Sequence, residues 1–267
     1  MRLFISSDIE GTTGIVDWNE AELDDGGAWY DYFRDQMTRE VSAVCEGARE
    51  GGADYVMVKD AHDTGRNIIP SKLPEGVFIH RGWSGDPLGM VEGLNDGFDA
   101  VAFVGYHSAS HEDGNPLSHT MSSYVSEVLI NGSRASEFTI NSYTAAMLGI
   151  PVIFLSGDSA LCESAKAFLP GITTVATNIG RGAAVTSIHP TEAVRLIREG
   201  SRSAVEKNGK DCLIELPERF KTTIKYNNHK YAYKNSFYPG VNQIDEKTIV
   251  FESDDFNELL CLYRFVM

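Results

Sequence analysis

Carboxylate and imidazole groups follow three short apolar runs in the first half of the chain, at residues 3–5, 55–58 and 101–104. The groups that stand within a few residues of the ends of these runs are Asp8 and Glu10, Asp60 and His62, and His107. Apolar runs of this length predict buried strands. Because the carboxyl ends of the strands form the ligand-binding edge of an open α/β sheet, we expect these side chains to meet at one edge.

The residue types at this edge are those of a metal site. Asp8 and Glu10 are two positions apart and point to one face if the strand conformation persists. Two carboxylates that close repel each other unless a cation or a proton lies between them. Imidazole with carboxylate suits Zn²⁺, and also Mn²⁺, Co²⁺ or Fe²⁺, and a carboxylate shared by two ions would give a two-metal hydrolytic site. Taken singly, each aspartate also fits a turn or a helix cap, and each histidine fits a structural role.

Three further residues have side chains suited to catalysis or metal binding. The polar segment 108–121 carries His111 and His119, and a loop of this length commonly covers a site or is mobile. Either histidine has a pKa suited to proton transfer near neutral pH, or is a solvated loop residue. Glu137 precedes a predicted helix, where the helix dipole also favours a carboxylate. The residues alone leave these roles open.

Amphipathic helical patterns separate most of the apolar runs. Helices are predicted at residues 29–50, 139–148, 160–168 and 191–206, and further strands at 152–155 and 173–176. Strands that alternate with helices are typical of βαβ units. The predicted fold class is therefore α/β, with a mostly parallel sheet and helices on both of its faces.

Two segments depart from this alternation. Residues 126–137 predict a β-hairpin that turns at Asn131-Gly132 in a type I′ conformation. Residues 220–233 are rich in Lys, Tyr and Asn without a clear period, and a strand and a closing helix are predicted after them. We therefore predict a metal-binding catalytic domain over residues 1–208, which includes the hairpin. A smaller α+β subdomain over 209–267 would pack on it and contribute to oligomer contacts.

Composition excludes several classes of protein. The 267 residues are 42% hydrophobic and 23% charged, which is ordinary for a globular protein. The net charge of −15 disfavours binding to nucleic acid or to an anionic membrane, and fits either solubility or carboxylates gathered around cations. The sequence has no run of 18 apolar residues and no signal-peptide pattern at its start, so we expect a cytoplasmic protein.

Five ordered motifs resemble the zinc-dependent D-aminopeptidases of the DppA family, peptidase family M55. The motifs are Ser7-Asp8-Ile9-Glu10-Gly11, Asp60-Ala61-His62, Gly105-Tyr106-His107, Ser118-His119-Thr120-Met121, and Ile130-Asn131-Gly132 through Glu137 with Asn141 and Tyr143. The resemblance is clear from about residue 2 to 160 and can be followed to the C-terminus through Tyr238-Pro239-Gly240.

The resemblance implies a binuclear site that holds two Zn²⁺ ions per chain, for which Mn²⁺ or Co²⁺ could substitute. Asp8 would bridge the ions, with Glu10 and His107 completing one site and His62 and Glu137 the other. No other cofactor is implied.

Two more residues receive roles beside this ligand set. Asp60 is not a ligand in the family, and we expect it to orient a ligand histidine. His119 matches the residue that the family assigns as catalytic nucleophile. We expect His119 to act instead as a general acid and base, because a metal-bridged hydroxide is the better attacking group at neutral pH.

The predicted function is a metal-dependent aminopeptidase that hydrolyses short peptides or amides beginning with a D-amino acid such as D-Ala. The family resemblance also implies a homo-oligomeric ring, a decamer, with active sites facing an inner channel. Two alternatives remain at this point. One is a binuclear metallohydrolase of another amide or of an L-peptide, and the other is a non-catalytic oligomeric metal-binding protein.

Overall fold

The apolar runs form the strands of a parallel sheet in the computed structural model, which describes residues 1–209 and 211–267. The strands in these residues are β1 (Arg2–Ser7), β2 (Tyr55–Asp60), β3 (Phe78–His80), β4 (Ala100–Tyr106), β5 (Val125–Ile130), β6 (Ser133–Arg134), β7 (Val152–Asp158), β8 (Thr173–Arg181), β9 (Ala184–Ser187), β10 (Phe220–Tyr226), β11 (Asn242–Gln243) and β12 (Thr248–Ser253). The helices are α1 (Trp18–Ala21), α2 (Leu23–Glu50), α3 (Glu137–Met147), α4 (Ser159–Phe168), α5 (Pro190–Lys207), α6 (His229–Asn235) and α7 (Phe256–Val266).

The larger sheet has the strand order β3-β2-β1-β4-β7-β8-β9. Neighbouring strands are parallel throughout, except that β9 pairs antiparallel with β8 at one edge. The central strands β4 and β7 are buried along their whole length, as expected when both faces of a parallel sheet are covered. The predicted α/β class with a mostly parallel sheet is confirmed.

Helices cover opposite faces of this sheet. On one face, the ring of Phe138 in α3 lies edge-on to the ring of Phe103 in β4, with centroids 5.5 Å apart. On the other face, Gly200 in α5 lies against Phe154 in β7, whose ring comes within 3.0 Å of the position of a β-carbon at Gly200. Phe154 is in register with Ala102, so its side chain points away from the face of Phe103 because successive residues alternate.

Helices α2 and α5 pack closely on that second face. A β-carbon at Gly47 of α2 would stand 2.1 Å from the carbonyl oxygen of Arg198 in α5. The absence of a side chain at Gly47 therefore allows the two helix backbones to approach each other. None of the helices in the described part of the chain is both long and apolar enough to cross a membrane.

The smaller sheet combines two distant stretches of the chain. Its order is β11-β12-β10-β5-β6, and each neighbouring pair is antiparallel. The hairpin β5-β6 thus pairs with β10 of the C-terminal segment, whereas we expected it within the catalytic domain. A division of the chain at residue 208 does not separate the two sheets, because the strands of the smaller sheet come from both sides of that point.

Most of the predicted elements agree with the structure. The predicted hairpin turn is present, with Asn131 and Gly132 at φ of 52° and 81°, but its second strand ends at Arg134 and Glu137 already begins α3. The short elements α1, β3, β9, β11 and α6 and the strand β10 were not predicted. The strand β10 alternates buried and exposed residues, but a buried Thr222 and three lysine or threonine neighbours hide the period in the sequence.

Candidate metal centre

The site lies where the strand order of the larger sheet reverses direction, between β1 and β4. From β1 the chain proceeds to β2 and β3 on one side, and then to β4 and β7 on the other. The loops after adjacent strands diverge at such a point and leave a crevice at the carboxyl ends of the strands. Asp8 and His107 follow β1 and β4 directly, and His62 is the second residue after β2, so the topology brings all three to this crevice.

Two glycines permit the close crossing of the loops that follow β1 and β4. Gly105 has φ of 70°, and a β-carbon there would stand 2.4 Å from the carbonyl oxygen of Asp8. A β-carbon at Gly11 would stand 1.9 Å from the carbonyl oxygen of Tyr106. The two glycines are joined by a hydrogen bond of 2.8 Å from the Gly11 amide to the Gly105 carbonyl. Any larger residue would separate the strand ends that carry Asp8 and His107.

The predicted metal ligands form a single buried cluster. Asp8, Glu10, His62, His107 and Glu137 are each at most 5% exposed. His62 Nδ1 lies 3.2 Å from Asp8 Oδ1 and 3.2 Å from Glu10 Oε1. His107 Nε2 lies 3.5 Å from Asp8 Oδ2 and 3.4 Å from Glu137 Oε2. The two carboxylate oxygens of Asp8 therefore face two different histidines.

The donor atoms form three overlapping groups, each within 4.8 Å. They are Asp8 with Glu10 and His62, Asp8 with His107 and Glu137, and Glu10 with His107 and His119. Glu10 thus lies near His62 in one group and near His107 in another. The expected partition, with Glu10 beside His107 and His62 beside Glu137, therefore stays a prediction.

Backbone carbonyls fix how each histidine presents its ring. His62 Nε2 lies 3.0 Å from the Ala21 carbonyl oxygen, His107 Nδ1 lies 2.9 Å from that of Ser108, and His119 Nδ1 lies 2.9 Å from that of Leu117. A ring nitrogen next to a carbonyl must carry the proton to bond it. In the neutral tautomer the opposite nitrogen, which faces the carboxylates, then offers a lone pair. This is the arrangement in which a histidine binds a metal ion.

Unpaired polar atoms in the cluster fit a bound cation. His107 Nε2 and Glu10 Oε2 are both buried and make no hydrogen bond. Buried polar atoms without partners are rare in folded proteins and point to a missing ligand. Nitrogen and carboxylate oxygen donors at this spacing suit Zn²⁺, so the residues of the cluster fit bound zinc.

The pKa values of the cluster residues are shifted by burial and by the charges of their neighbours. Burial raises the pKa of Asp8, and the neighbouring Glu10 raises it further. Burial opposes the charge of Glu137 as well, but His107 outweighs it and lowers the pKa of Glu137 to about 2. Burial likewise lowers the pKa of His62 and His107, yet the adjacent carboxylates raise both well above the usual value. The cluster thus attracts positive charge, whether protons or metal ions.

His119 lies beside the cluster on the loop after β4. Its ring stacks on that of His107 at 4.3 Å and meets the Trp18 ring edge-on at 5.2 Å. His119 Nε2 is 3.5 Å from Glu137 Oε1 and 3.9 Å from Glu10 Oε1. Burial and the neighbouring His107 lower the pKa of His119. His111, the other candidate, is exposed and is not among the donor groups of the cluster.

Asp60 supports the loop that carries His62 but does not contact its ring. The Asp60 carboxylate accepts hydrogen bonds from Asn67 Nδ2 at 2.9 Å and from the Ile68 amide at 2.7 Å. The same Asn67 amide group donates to the His62 carbonyl at 2.7 Å. Asp60 thus contacts His62 through Asn67 and the His62 backbone, whereas the Ala21 carbonyl contacts the ring. The predicted role of Asp60 in orienting a ligand histidine stays a prediction.

The backbone of Met121 is a site contact that the sequence analysis missed. Its amide donates to Glu137 Oε1 at 2.7 Å, and its φ of 65° is in the left-handed region. Such a conformation is uncommon for a residue other than glycine. It turns the amide toward Glu137 and so fixes the carboxylate that faces His107. Met121 is part of the quoted Ser118–Met121 motif, but a backbone contact leaves no residue-type signal in a sequence.

A cavity of about 330 Å³ opens above the cluster. Its floor includes Asp8, Glu10, His62, Glu137 and His119. Its outer walls come from two segments that the sequence analysis did not connect with the site. They are the loop that follows β3, with Trp83, Pro87, Leu88 and Gly89, and the C-terminal helix, with Leu260, Tyr263, Arg264 and Met267. The volume is that of a small-molecule pocket.

Comparison with known proteins shows what the chain is similar to. The family model Peptidase_M55, described as D-aminopeptidase, matches residues 1–265. A D-aminopeptidase of Bacillus subtilis (strain 168) is 32% identical over 264 residues, which cover 97% of this chain and 93% of that protein. A similar solved structure is described as the Zn-dependent D-aminopeptidase DppA from Bacillus subtilis, a self-compartmentalizing protease. The TM-score is 0.91 at 28% identity, and the match covers 98% of this chain and 95% of the chain of that structure.

Proposed function

The chain belongs to the D-aminopeptidase family Peptidase_M55, and we propose that it hydrolyses short peptides or amides with an N-terminal D-amino acid by means of two zinc ions. The resemblance inferred from the five motifs is thereby confirmed at the level of the family. The observation that carries the proposal is the pair of buried donor sets that share Asp8, one with Glu10 and His62 and the other with His107 and Glu137.

These five side chains would hold the zinc ions. When bound, zinc would supply the Lewis acid and the activated water that amide hydrolysis at neutral pH requires. The carbonyls of Ala21 and Ser108 keep the ligand nitrogens of His62 and His107 turned inward. Met121 holds Glu137 in place. The same donor set suits Mn²⁺ and Co²⁺, which we propose as substitutes in the laboratory.

We propose that His119 moves a proton at the scissile nitrogen. Its Nδ1 is fixed by the Leu117 carbonyl, so Nε2 faces the cavity floor between Glu10 and Glu137. A histidine in that position can donate a proton to the departing amine and then accept one again. The ring is held by stacking on His107 and by Trp18, so the proton-donating atom has a fixed position.

Asp63 is the candidate for recognition of the substrate's free ammonium group. Four carboxylates of the described residues line the cavity, and three of them belong to the metal cluster. Asp63 is the fourth, it follows the ligand His62 directly, and its carbonyl accepts a hydrogen bond from Trp83 Nε1 at 2.7 Å. An aminopeptidase needs a negative group of this kind because it must distinguish a free N-terminus from the interior of a chain.

Asp63→Asn tests this role. We expect KM for D-Ala-D-Ala to rise by about tenfold with a smaller change in kcat, because the variant removes one charge-assisted hydrogen bond to the ammonium group. Asp86→Asn, on the same surface but outside the cavity lining, is the matched control. A Michaelis constant for Asp63→Asn equal to that of the control would assign the ammonium group to another residue.

A substrate panel tests the proposed function as a whole. The zinc-loaded protein is assayed on D-Ala-D-Ala, L-Ala-L-Ala and the amides of D-Ala and L-Ala. We expect kcat/KM to favour the D-substrates by about 100-fold, which is the size of discrimination that pocket shape commonly provides. Elemental analysis is expected to give two zinc ions per chain. Preference for the L-substrates would establish a different metallohydrolase, and no hydrolysis with zinc, manganese or cobalt would refute the proposal.

We further propose that the chain assembles into a homo-oligomeric ring, a decamer, as its self-compartmentalizing relative suggests. Exposed aromatic side chains of the C-terminal segment support this. Phe237 and Phe265 are each 71% exposed and Tyr233 is 64% exposed, and Tyr233 meets Phe237 edge-on at 5.3 Å. Light scattering should give ten times the chain mass of 29.4 kDa, and a monomer mass would contradict the proposal.

A further inference from the structure

Arg264 is a permanent cation in a cavity whose other ionisable groups include four carboxylates and two histidines. The acidic residues Asp8, Glu10, Asp63 and Glu137 line it, and among residues 1–209 and 211–267 Arg264 is the sole lysine or arginine that does so. The net charge of the chain is −15, and four carboxylates already line the pocket. A guanidinium in the same pocket suggests that it binds an anionic group of a ligand.

Arg264 reaches across the cavity mouth. It stands on α7 on the same side as Leu260 and Tyr263, which also line the cavity. The helix is held in place by the hydrogen bond from Tyr263 to Thr222 of β10, at 2.8 Å between hydroxyl oxygens. Arg264 Nη2 lies 3.9 Å from the position of a β-carbon at Gly85, so the side chain extends from α7 to the loop after β3.

The guanidinium of Arg264 makes no ion pair within the part of the chain that the structure describes. Arg134, Arg195 and Arg198 pair with glutamate. Arg66, Arg81 and Arg181 also lack an ion pair among the described residues, but only Arg264 of these four lines the cavity. The backbone of Arg264 is held by the packing of α7, and its guanidinium donors have no ion-pair partner among the described residues. The side chain lines the same cavity as the metal cluster.

We propose that Arg264 binds the C-terminal carboxylate of the substrate, and thereby selects short free peptides over amides and longer chains. The proposal rests on the proposed peptidase function and adds the group that recognises the far end of the substrate. A planar guanidinium matches a carboxylate with two parallel hydrogen bonds. The cluster would hold the scissile bond at the cavity floor, while Arg264 holds the carboxylate at the mouth.

Because the backbone of Arg264 has a fixed position on α7, recognition of the carboxylate depends on the length of the peptide. Each extended residue adds at most about 3.6 Å to a peptide. A carboxylate that meets Arg264 in one peptide is therefore displaced by about that distance when one residue is added. A helix-borne arginine tolerates one such step by changing its rotamer, but a series of added residues moves the carboxylate out of reach.

The test compares D-Ala-D-Ala with D-Ala-D-Ala-amide, which differ in the terminal charge. The measured quantity is the ratio of their kcat/KM values in the wild type, Arg264→Gln and Arg264→Lys. Lys234→Gln, which removes an exposed cation of α6 outside the cavity, is the matched control. Circular dichroism and zinc content establish that each variant is folded and loaded.

We expect the wild type to favour the free acid and Arg264→Gln to lower that ratio by about 10- to 100-fold, mainly through KM, because a charge-assisted hydrogen-bond pair is lost. Arg264→Lys should keep part of the preference, and Lys234→Gln all of it. An unchanged ratio in Arg264→Gln would overturn the inference and leave Arg264 as a cation that interacts with the end of α7.

Failure of the Arg264 proposal can be distinguished from failure of the proposed peptidase function. If neither compound is cleaved, the peptidase proposal fails, and calorimetric titration with the same two dipeptides then tests Arg264 by binding alone. A loss of the acid-over-amide difference in Kd on Arg264→Gln would support the carboxylate site. Equal dissociation constants for acid and amide in the wild type would refute it.

Discussion

His119 and His111 lie on one loop but in different surroundings, and this makes them a matched pair of variants. We expect His119→Ala to lower kcat by about 100-fold or more, because a positioned proton donor is lost. The protein should keep both zinc ions, since the two donor groups that share Asp8 do not include His119. His111→Ala should behave as the wild type. Loss of one zinc ion from His119→Ala would show that His119 is a metal ligand.

Asp60 gives a second prediction at the residue scale. Asp60→Asn places an amide beside the donors of Asn67 and Ile68, so we expect a loss of about 2 kcal/mol in the free energy of unfolding. Zinc affinity should fall with it, because the backbone of His62 is held through Asn67. Asp31→Asn, at an exposed position, should change stability by less than about 0.5 kcal/mol. Chemical denaturation and zinc titration provide both measurements, and equal stability of the two variants would contradict the role of Asp60.

The residues show which parts of the site could be read from the sequence. Asp8, Glu10, His62 and His107 could be found because each closely follows an apolar strand. Glu137 required the family resemblance, because it begins a helix and its chain position alone suggests a helix-start carboxylate. The partition of the ligands between two ions stays a prediction, because Glu10 lies with His62 in one group of donors and with His107 in another. The carbonyls of Ala21 and Ser108 leave no trace in residue type.

Among the structural elements, the contact of α2 with α5 depends on Gly47. Gly47→Ala would place a β-carbon 2.1 Å from the Arg198 carbonyl oxygen, so the helices must separate. We expect a loss of about 2 kcal/mol or more in the free energy of unfolding. The matched change Glu163→Ala, on the exposed side of α4, should have little effect. A stable Gly47→Ala protein with an unchanged melting temperature would show that the helices can shift freely.

Helices and strands could be predicted where the apolar residues followed one clear hydrophobic pattern. The long helix α2 and the strands β1, β4 and β7 have continuous apolar patterns because their buried faces are wide. The strand β10 was missed because the buried Thr222 is polar and interrupts the alternation of apolar residues with Lys221 and Lys225. Its pairing with the hairpin β5-β6 joins residues about 90 positions apart, and local patterns carry no information on such a pairing.

For the whole molecule, removal of metal is the informative perturbation. Three carboxylates and two histidines lie buried together, and without cations the carboxylates must share protons or repel one another. We expect a chelator to remove zinc, abolish activity and lower the melting temperature, because a ligand that binds the folded state stabilises it. Zinc should restore activity and stability, whereas Mg²⁺ should restore neither, since it binds histidine poorly. A melting temperature that does not respond to zinc removal would show that the cluster folds independently of metal.

The catalytic groups and part of the cavity wall come from distant parts of the chain, which affects how the enzyme could acquire new substrate preferences. All five proposed metal ligands and His119 lie before residue 138, whereas Leu260, Tyr263 and Arg264 lie on the last helix. Mutations in α7 can therefore change which peptides enter without disturbing the groups that carry out hydrolysis. Selectivity and chemistry can evolve independently in this arrangement, and a library confined to the cavity side of α7 is the natural way to obtain relatives with new substrate preferences.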